Sequence, residues 1–315
     1  MKVDRSQVPV AGGHADRLSI LFLMLILVLT SLAAVSVTRL PKALAGPTAE
    51  PKKFAVLAAV DDYARFPGPL KYCLEDLQDM RDVLVNNCGF LPANVFELKD
   101  ATATTANLRD TLLTKLAPQV GPNDTVIIFF SGHGWPNLFG WGEGLYMSDG
   151  IIFDWQLKAL LSKVHAGKLA VFLDSCFSGG FGGVARGIQG SSSLCGLSAG
   201  EGLAQKLSGT GRVVLTACRA WELSDEYPDL QNGLFTYNLC QALRSSAADA
   251  DGDKRIDTSE AFAYLYPRVL QYSLDAHKAD FFRPVQHPQI FNGIPGGLEL
   301  SDQVAFGEFS GRASR

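Results

Sequence analysis

An α/β domain, with a mostly parallel sheet covered by helices on both faces, is the fold class this sequence predicts. Three observations point to it. Short apolar runs alternate with longer stretches in which apolar residues recur at helical spacing. Most of the runs are apolar on both faces, which suits strands buried under helices rather than a half-wet antiparallel sheet. The 315 residues, 47% apolar and 19% charged, show no internal repeat and suffice for one large layered domain.

In chain order, FAVLAAV (Phe54 to Val60) reads as the first strand, because seven consecutive apolar residues are too short for a helix between turn signals. Leu74 to Val85 follows with helical period, then VFEL (Val95 to Leu98) as a second strand and Thr105 to Leu116 as a second helix. TVIIFF (Thr125 to Phe130) is rich in β-branched and aromatic residues and reads as the third strand. Asp154 to Val164 returns to helical period, LAVFL (Leu169 to Leu173) and RVVLTA (Arg212 to Ala217) are strands, and Leu234 to Leu243 and Thr258 to Leu270 are helices. This order describes one layer with right-handed crossovers, occupying residues 54–300, with a linker at 46–53 and a tail at 301–315. The composition excludes a disordered chain, a collagen and a coiled-coil rod. With 28 Lys and Arg against 32 Asp and Glu the net charge is -4, so no general basic surface advertises a nucleic-acid partner. Six cysteines are too few for a disulfide scaffold in a chain of this length.

Ahead of the domain, Leu18 to Val37 carries no charge and follows Lys2, Arg5 and Arg17. It is long enough to span a bilayer as a helix, and the small-x-small pattern Ala43-Leu44-Ala45 before Gly46 suits a signal peptidase. Arg39 and Lys42, between the apolar run and that pattern, suit an uncleaved anchor instead. Residues 1–45 are therefore a signal peptide or a membrane anchor. Either places the domain outside the cytoplasm, periplasmic, secreted or tethered through residues 18–37, since a basic leader orients its carboxyl side outward.

The fold rule for open α/β sheets puts the ligand site beyond the carboxyl ends of the strands. Two segments fall there: Ser131-Gly132-His133-Gly134 after the third strand, and Asp174-Ser175-Cys176-Phe177-Ser178-Gly179-Gly180 after the fourth. An imidazole and a thiol at the ends of neighbouring strands are the parts from which a cysteine nucleophile and its base are assembled. The amides of Gly134 and Cys176 are candidate oxyanion donors. Taken singly, Cys176 is also readable as a small core residue and His133 as a loop residue. The remaining histidines, His14, His165, His277 and His287, read as surface or structural.

SGHG and DSCFSGG, each closing an apolar strand, resemble the motifs of caspase-like cysteine peptidases of the metacaspase and bacterial orthocaspase type. LKYCLED (Leu70 to Asp76), LTACRAWELSDE (Leu215 to Glu226) and Gly233-Leu234-Phe235-Thr236 opening a helix extend the likeness from about Phe54 to Leu300. The resemblance implies a caspase-like fold with a central, mostly parallel six-stranded sheet. It implies Cys176 as nucleophile and His133 as general base or acid, with no third triad member required. It also implies an acidic pocket for the residue before the scissile bond, formed by Asp174 and Asp76 with Cys73 and Ser131, and hence cleavage after Arg or Lys. The plainer readings are a solvated helix position for Asp76 and a local amide cap for Asp174. A legumain-like peptidase and an inactive caspase-like peptide-binding or scaffold module are the competing functions; polypeptides are the expected partners, and the oligomeric state is left open.

Two further features stand out. Asp249 to Glu260 resembles a calcium loop, with Asp249, Asp251, Asp253 and Glu260 at ligand places, but Lys254 holds the place where glycine belongs. The alternative is an exposed loop in which Asp257 and Glu260 form a capping box, and the chemistry expected of Cys176 and His133 requires no cofactor. The Gly- and Ser-rich stretch Phe177 to Gly211 contains Arg186 and Lys206, with Arg212 just beyond, so an enzyme cutting after basic residues finds self-processing targets there.

Overall fold

The carboxyl ends of three parallel strands finish level with one another, and this register positions everything described below. In the computed structural model, which describes residues 50–63, 67–136, 142–175, 203–219 and 222–301, the central sheet runs β12-β8-β7-β3-β1-β2. Its strands are β1 (Lys53–Ala59), β2 (Val95–Lys99), β3 (Thr125–Ser131), β7 (Lys168–Asp174), β8 (Arg212–Thr216) and β12 (Gln289–Asn292). Every neighbouring pair is parallel except β12 with β8. Ala59 is opposite Ser131, and Ser131 is opposite Asp174.

The alternation of side chains along each strand divides the core in two. Ala55, Leu57, Ile127, Phe129, Phe172 and Leu215 face one side, where α1 (Cys73–Asn87), α5 (Leu234–Arg244) and α6 (Thr258–Ala279) pack. Phe54, Val56, Ile128, Phe130, Val171 and Val214 face the other, beneath α2 (Thr105–Asp110), α3 (Asp154–Leu161) and the short α4 (Leu203–Leu207). Covering both faces is what a sheet apolar on both faces demands.

The structure departs from the sequence reading in four places. The sixth strand, β12, is a short antiparallel edge with Gln289 and Asn292 at its ends and only partly buried, so it lacks the apolar run that marks the others. A small sheet of β4 (Gly134–Trp135), β5 (Gly144–Met147) and β6 (Gly150–Phe153) lies between β3 and α3. The last helix continues nine residues beyond Leu270 to Ala279, supported by the Gln271–Asp275 and Lys278–Asp275 side-chain contacts in its final turns. Finally, two of the three basic residues expected as processing points are fixed in the fold. Lys206 lies in α4 with its Nζ 2.6 Å from Asp154 Oδ2, and Arg212 opens β8. Lys206 is helical and Arg212 is paired in the sheet, so neither is in open backbone, and Arg186 lies outside the described residues. The run Leu18 to Val37 is also outside them; among the described residues no helix is long and apolar enough to cross a membrane.

Candidate active site

The first turn of α1 is anchored by two carboxylates from elsewhere in the chain. Asp61 Oδ1 accepts from Cys73 N at 2.8 Å, and Glu226, in the two-residue strand β9 (Glu226–Tyr227), accepts from Tyr72 N at 2.9 Å. Negative charge at a helix N-terminus satisfies its open amides and complements its dipole. This anchoring turns Cys73 and Asp76 inward, 2% and 1% exposed. The Cys73 thiol donates to Glu226 Oε1 at 3.6 Å and is pushed well above the ordinary thiol range by burial, then by the charges of Asp76 and Glu226. Asp76 is therefore not a solvated helix residue.

Asp174 and Asp76 meet at the start of α5. Ser131 Oγ donates to Asp76 Oδ2 at 2.7 Å, and the Gly233 amide donates to Asp76 Oδ1 at 2.8 Å. Ser224 Oγ donates to Asp174 Oδ1 at 2.6 Å, while the amide and hydroxyl of Thr236 donate to Asp174 Oδ2 at 3.0 and 2.7 Å. Asp174 does cap an amide, that of Thr236 in a distant helix rather than one in its own turn. A side chain at Gly233 would collide with the Asp174 carboxylate and bring its Cβ to 2.9 Å from Asp76 Oδ2, so glycine is what lets the two carboxylates approach. Burial raises both, and the charge of Asp174 raises Asp76 further; the hydrogen bonds oppose the rise without cancelling it.

His133 lies just past β3, on the rim of the same cavity, whose volume is about 550 Å³ and whose wall also includes Asp76, Ser131, Asp174 and Ser175. Its Nε2 is 3.0 Å from the Gly68 carbonyl oxygen. A carbonyl only accepts, so Nε2 carries the proton and Nδ1 is left as the base. Burial lowers the imidazole pKa below the ordinary histidine value, against the opposing Gly68 bond, and keeps the ring neutral at neutral pH.

The structure thus brings together Cys73, Asp76, Ser131, His133 and Asp174. Cys176, with its amide, lies outside the described residues. Gly134 is buried in β4, paired across to β5, and does not line the cavity. Sequence reasoning missed Gly68, Ser224, Gly233 and Thr236 as partners of these groups. It also missed the cavity wall after α6, where Arg283 pairs with Asp225 Oδ2 at 2.6 Å beside the exposed Phe282. Ser224, Gly233 and Thr236 lie in segments that carry the resemblance, but their partners are far along the chain, so the motifs do not reveal which groups they bond; Gly68 and Arg283 lie in no motif. His277 and His287 are structural: their Nδ1 atoms contact Arg283 O at 2.7 Å and Glu222 Oε1 at 2.8 Å.

The calcium-like loop lies apart from this site. Carboxylate oxygens of Asp249, Asp251 and Asp253 come within 4.8 Å of one another. Glu260 is committed to backbone: Oε1 accepts from Ala250 N at 2.8 Å and Oε2 from Asp257 N at 3.0 Å, while Asp257 Oδ1 accepts from Glu260 N at 2.9 Å. That is the capping box, and Lys254 takes the left-handed conformation, φ +67°, in glycine's place.

A parallel sheet with an antiparallel edge, a half-buried histidine and a buried aspartate at its strand ends, and a second buried aspartate at a helix start define a caspase-like scaffold. The family model described as the caspase domain matches residues 52–265, and the chain belongs to that family of cysteine peptidases. It is 30% identical over 147 residues to Metacaspase-3 of Arabidopsis thaliana, which covers 41% of this chain and 40% of that protein's length. In fold it is similar to caspase-1 of Spodoptera frugiperda, with a TM-score of 0.53 at 14% identity over 78% of this chain and 87% of that one. The chain is a member of the caspase-domain family with the caspase fold.

Proposed function

We propose that the chain is an endopeptidase cutting polypeptides after Arg or Lys, with Cys176 as nucleophile and His133 as its base. The observation that carries this reading is the pair of buried carboxylates, Asp76 and Asp174, in one cavity with His133. A guanidinium or ammonium entering the cavity gives these carboxylates the counter-charge that burial denies them.

In the proposed reaction the Cys176 thiol loses its proton to His133 Nδ1, and its sulfur attacks the carbonyl carbon after the basic residue. The tetrahedral intermediate collapses as the imidazolium protonates the departing amine, leaving a thioester. Water, deprotonated by the same nitrogen, attacks the thioester and releases the carboxyl product and the thiol. The Gly68 carbonyl holds the imidazole in the tautomer these steps require and faces the cation that forms transiently.

Fluorogenic peptides that differ only in the residue before the cut test the specificity. Arg and Lys substrates are expected to be cleaved and Asn and Asp substrates not; a preference for Asn favours the legumain-like alternative, and equal cleavage of Asp refutes the acidic pocket. A thiol-reactive peptide probe that fails to label Cys176 favours the inactive scaffold.

Self-processing is part of the same proposal and now falls on Arg186. Purified wild type is expected to yield two associated fragments on denaturing gels, and Cys176→Ala a single chain. Wild type that stays intact while it cleaves Arg peptides defeats this part.

A further inference from the structure

One phenol interrupts the strand ladder beside His133. An antiparallel hydrogen-bonded pair ordinarily exchanges two N–H···O bonds directly. Tyr146 N donates to His133 O at 2.9 Å, making the first. The second is missing: His133 N donates instead to the Tyr63 hydroxyl at 3.0 Å, and that hydroxyl donates to Tyr146 O at 3.1 Å. The ring of Tyr63 lies against the imidazole, centroids 4.9 Å apart and planes at 53°.

The surroundings are arranged for this insertion. Tyr63 is 6% exposed, and burial pushes its phenol above the ordinary tyrosine range, so the hydroxyl stays protonated and can both donate and accept. A Cβ on Gly132, whose φ is +156°, would sit 2.6 Å from the Tyr63 oxygen, so glycine makes room for the hydroxyl in the ladder. The segment leading to Tyr63 is pinned by Asp100 Oδ1, which accepts from Asp61 N at 2.8 Å and Asp62 N at 3.0 Å. Asp100 holds a left-handed backbone, φ +42°, to do so.

We propose that Tyr63 is a positioning residue for His133: its inserted hydroxyl and tilted ring fix the imidazole with Nε2 on the Gly68 carbonyl, leaving Nδ1 as the base. The proposal rests on His133 being the base of the peptidase reaction. Tyr63 touches neither Asp76 nor Asp174 through any hydrogen bond described, so its contribution is to turnover rather than to capture of the basic residue.

Tyr63→Phe keeps the ring and removes the hydroxyl. Expected in the full chain is a fall in kcat on an Arg peptide of between about tenfold and about a hundredfold with KM nearly unchanged. The ¹⁵N and ¹H signals of the His133 ring, assigned by their loss in His133→Ala, should move away from the Nε2–H tautomer. Asp100→Gly, which accepts the left-handed backbone and removes the pin, should lower kcat in the same direction by less. An unchanged kcat with unchanged ring signals in Tyr63→Phe overturns the proposal, as does a rise in KM alone. If Tyr63→Phe does not fold, an unaltered kcat in Asp100→Gly overturns it. If wild type cleaves no Arg peptide, the peptidase reading fails, and the ring signals alone decide whether Tyr63 sets His133.

Discussion

Cys176→Ala and His133→Ala are each expected to bring cleavage of an Arg peptide down to the level of a mock purification while leaving the thermal midpoint nearly unchanged. For Cys176 the reason is chemical: without the sulfur no thioester forms. For His133 it is the loss of the group that takes and returns the proton, a contribution of roughly 10²- to 10⁴-fold, compounded by the loss of thiolate. Stability should be spared at His133, since its ring lines a cavity and among the described residues makes one hydrogen bond, to Gly68. The double variant should be no worse than either single one, because groups that act as a unit are not additive. Activity of purified Cys176→Ala above the mock level removes the assigned nucleophile, and substantial activity of His133→Ala removes the base.

What the sequence revealed and what it withheld divide along one physical line. The four inner parallel strands are legible because burial on both faces writes a continuous apolar run, as in Thr125–Ser131, where every residue is buried, and the edge strand β2 is legible from the apolar residues of VFEL. β12 is not, because an edge strand packs only in part and tolerates Gln289 and Asn292. The helix runs past Leu270 to Ala279 with only Tyr272 and Ala276 packed against the core among mostly polar residues, too sparse an apolar pattern to read as helix. In the site, His133, Asp174, Ser131 and Asp76 follow from local motifs at strand ends and a helix start. Their partners do not. Gly68 contributes only a carbonyl, and Ser224 and Thr236 reach Asp174 across about fifty and sixty residues, separations at which neither periodicity nor spacing carries information.

The acidic pair sets a conflict between folding and binding, and the conflict makes the second prediction measurable. Asp76 and Asp174 both titrate above the ordinary carboxylate range when folded, so between that range and their folded values the native state binds more protons than the unfolded chain. Stability therefore falls as pH rises through this window, and the full cost is present above it. Asn at either position removes that cost, and the geometry tolerates the amide. At Asp76 the oxygen can keep the Gly233 amide while the NH₂ faces the Ser131 hydroxyl, which can turn to accept; at Asp174 the Ser224 hydroxyl can do the same. Asp174→Asn and Asp76→Asn are thus expected to be at least as stable as wild type at neutral pH, with any advantage vanishing below the ordinary carboxylate range. Their activity should move oppositely. Losing one partner of a desolvated charge pair costs roughly 2 to 5 kcal/mol, so kcat/KM for an Arg peptide should fall by roughly 30-fold to several thousandfold. In wild type the acid limb of kcat/KM should lie above the ordinary carboxylate range, and in Asp174→Asn the limb left by Asp76 should move to lower pH, because the charge of Asp174, the largest influence raising it after burial, is gone. Melting curves at neutral and acidic pH, with kcat/KM across the same range, check all of this. An Asp174→Asn enzyme that cleaves the Arg peptide within about threefold of wild type shows that the carboxylates serve only to cap α5 and that the basic residue binds elsewhere.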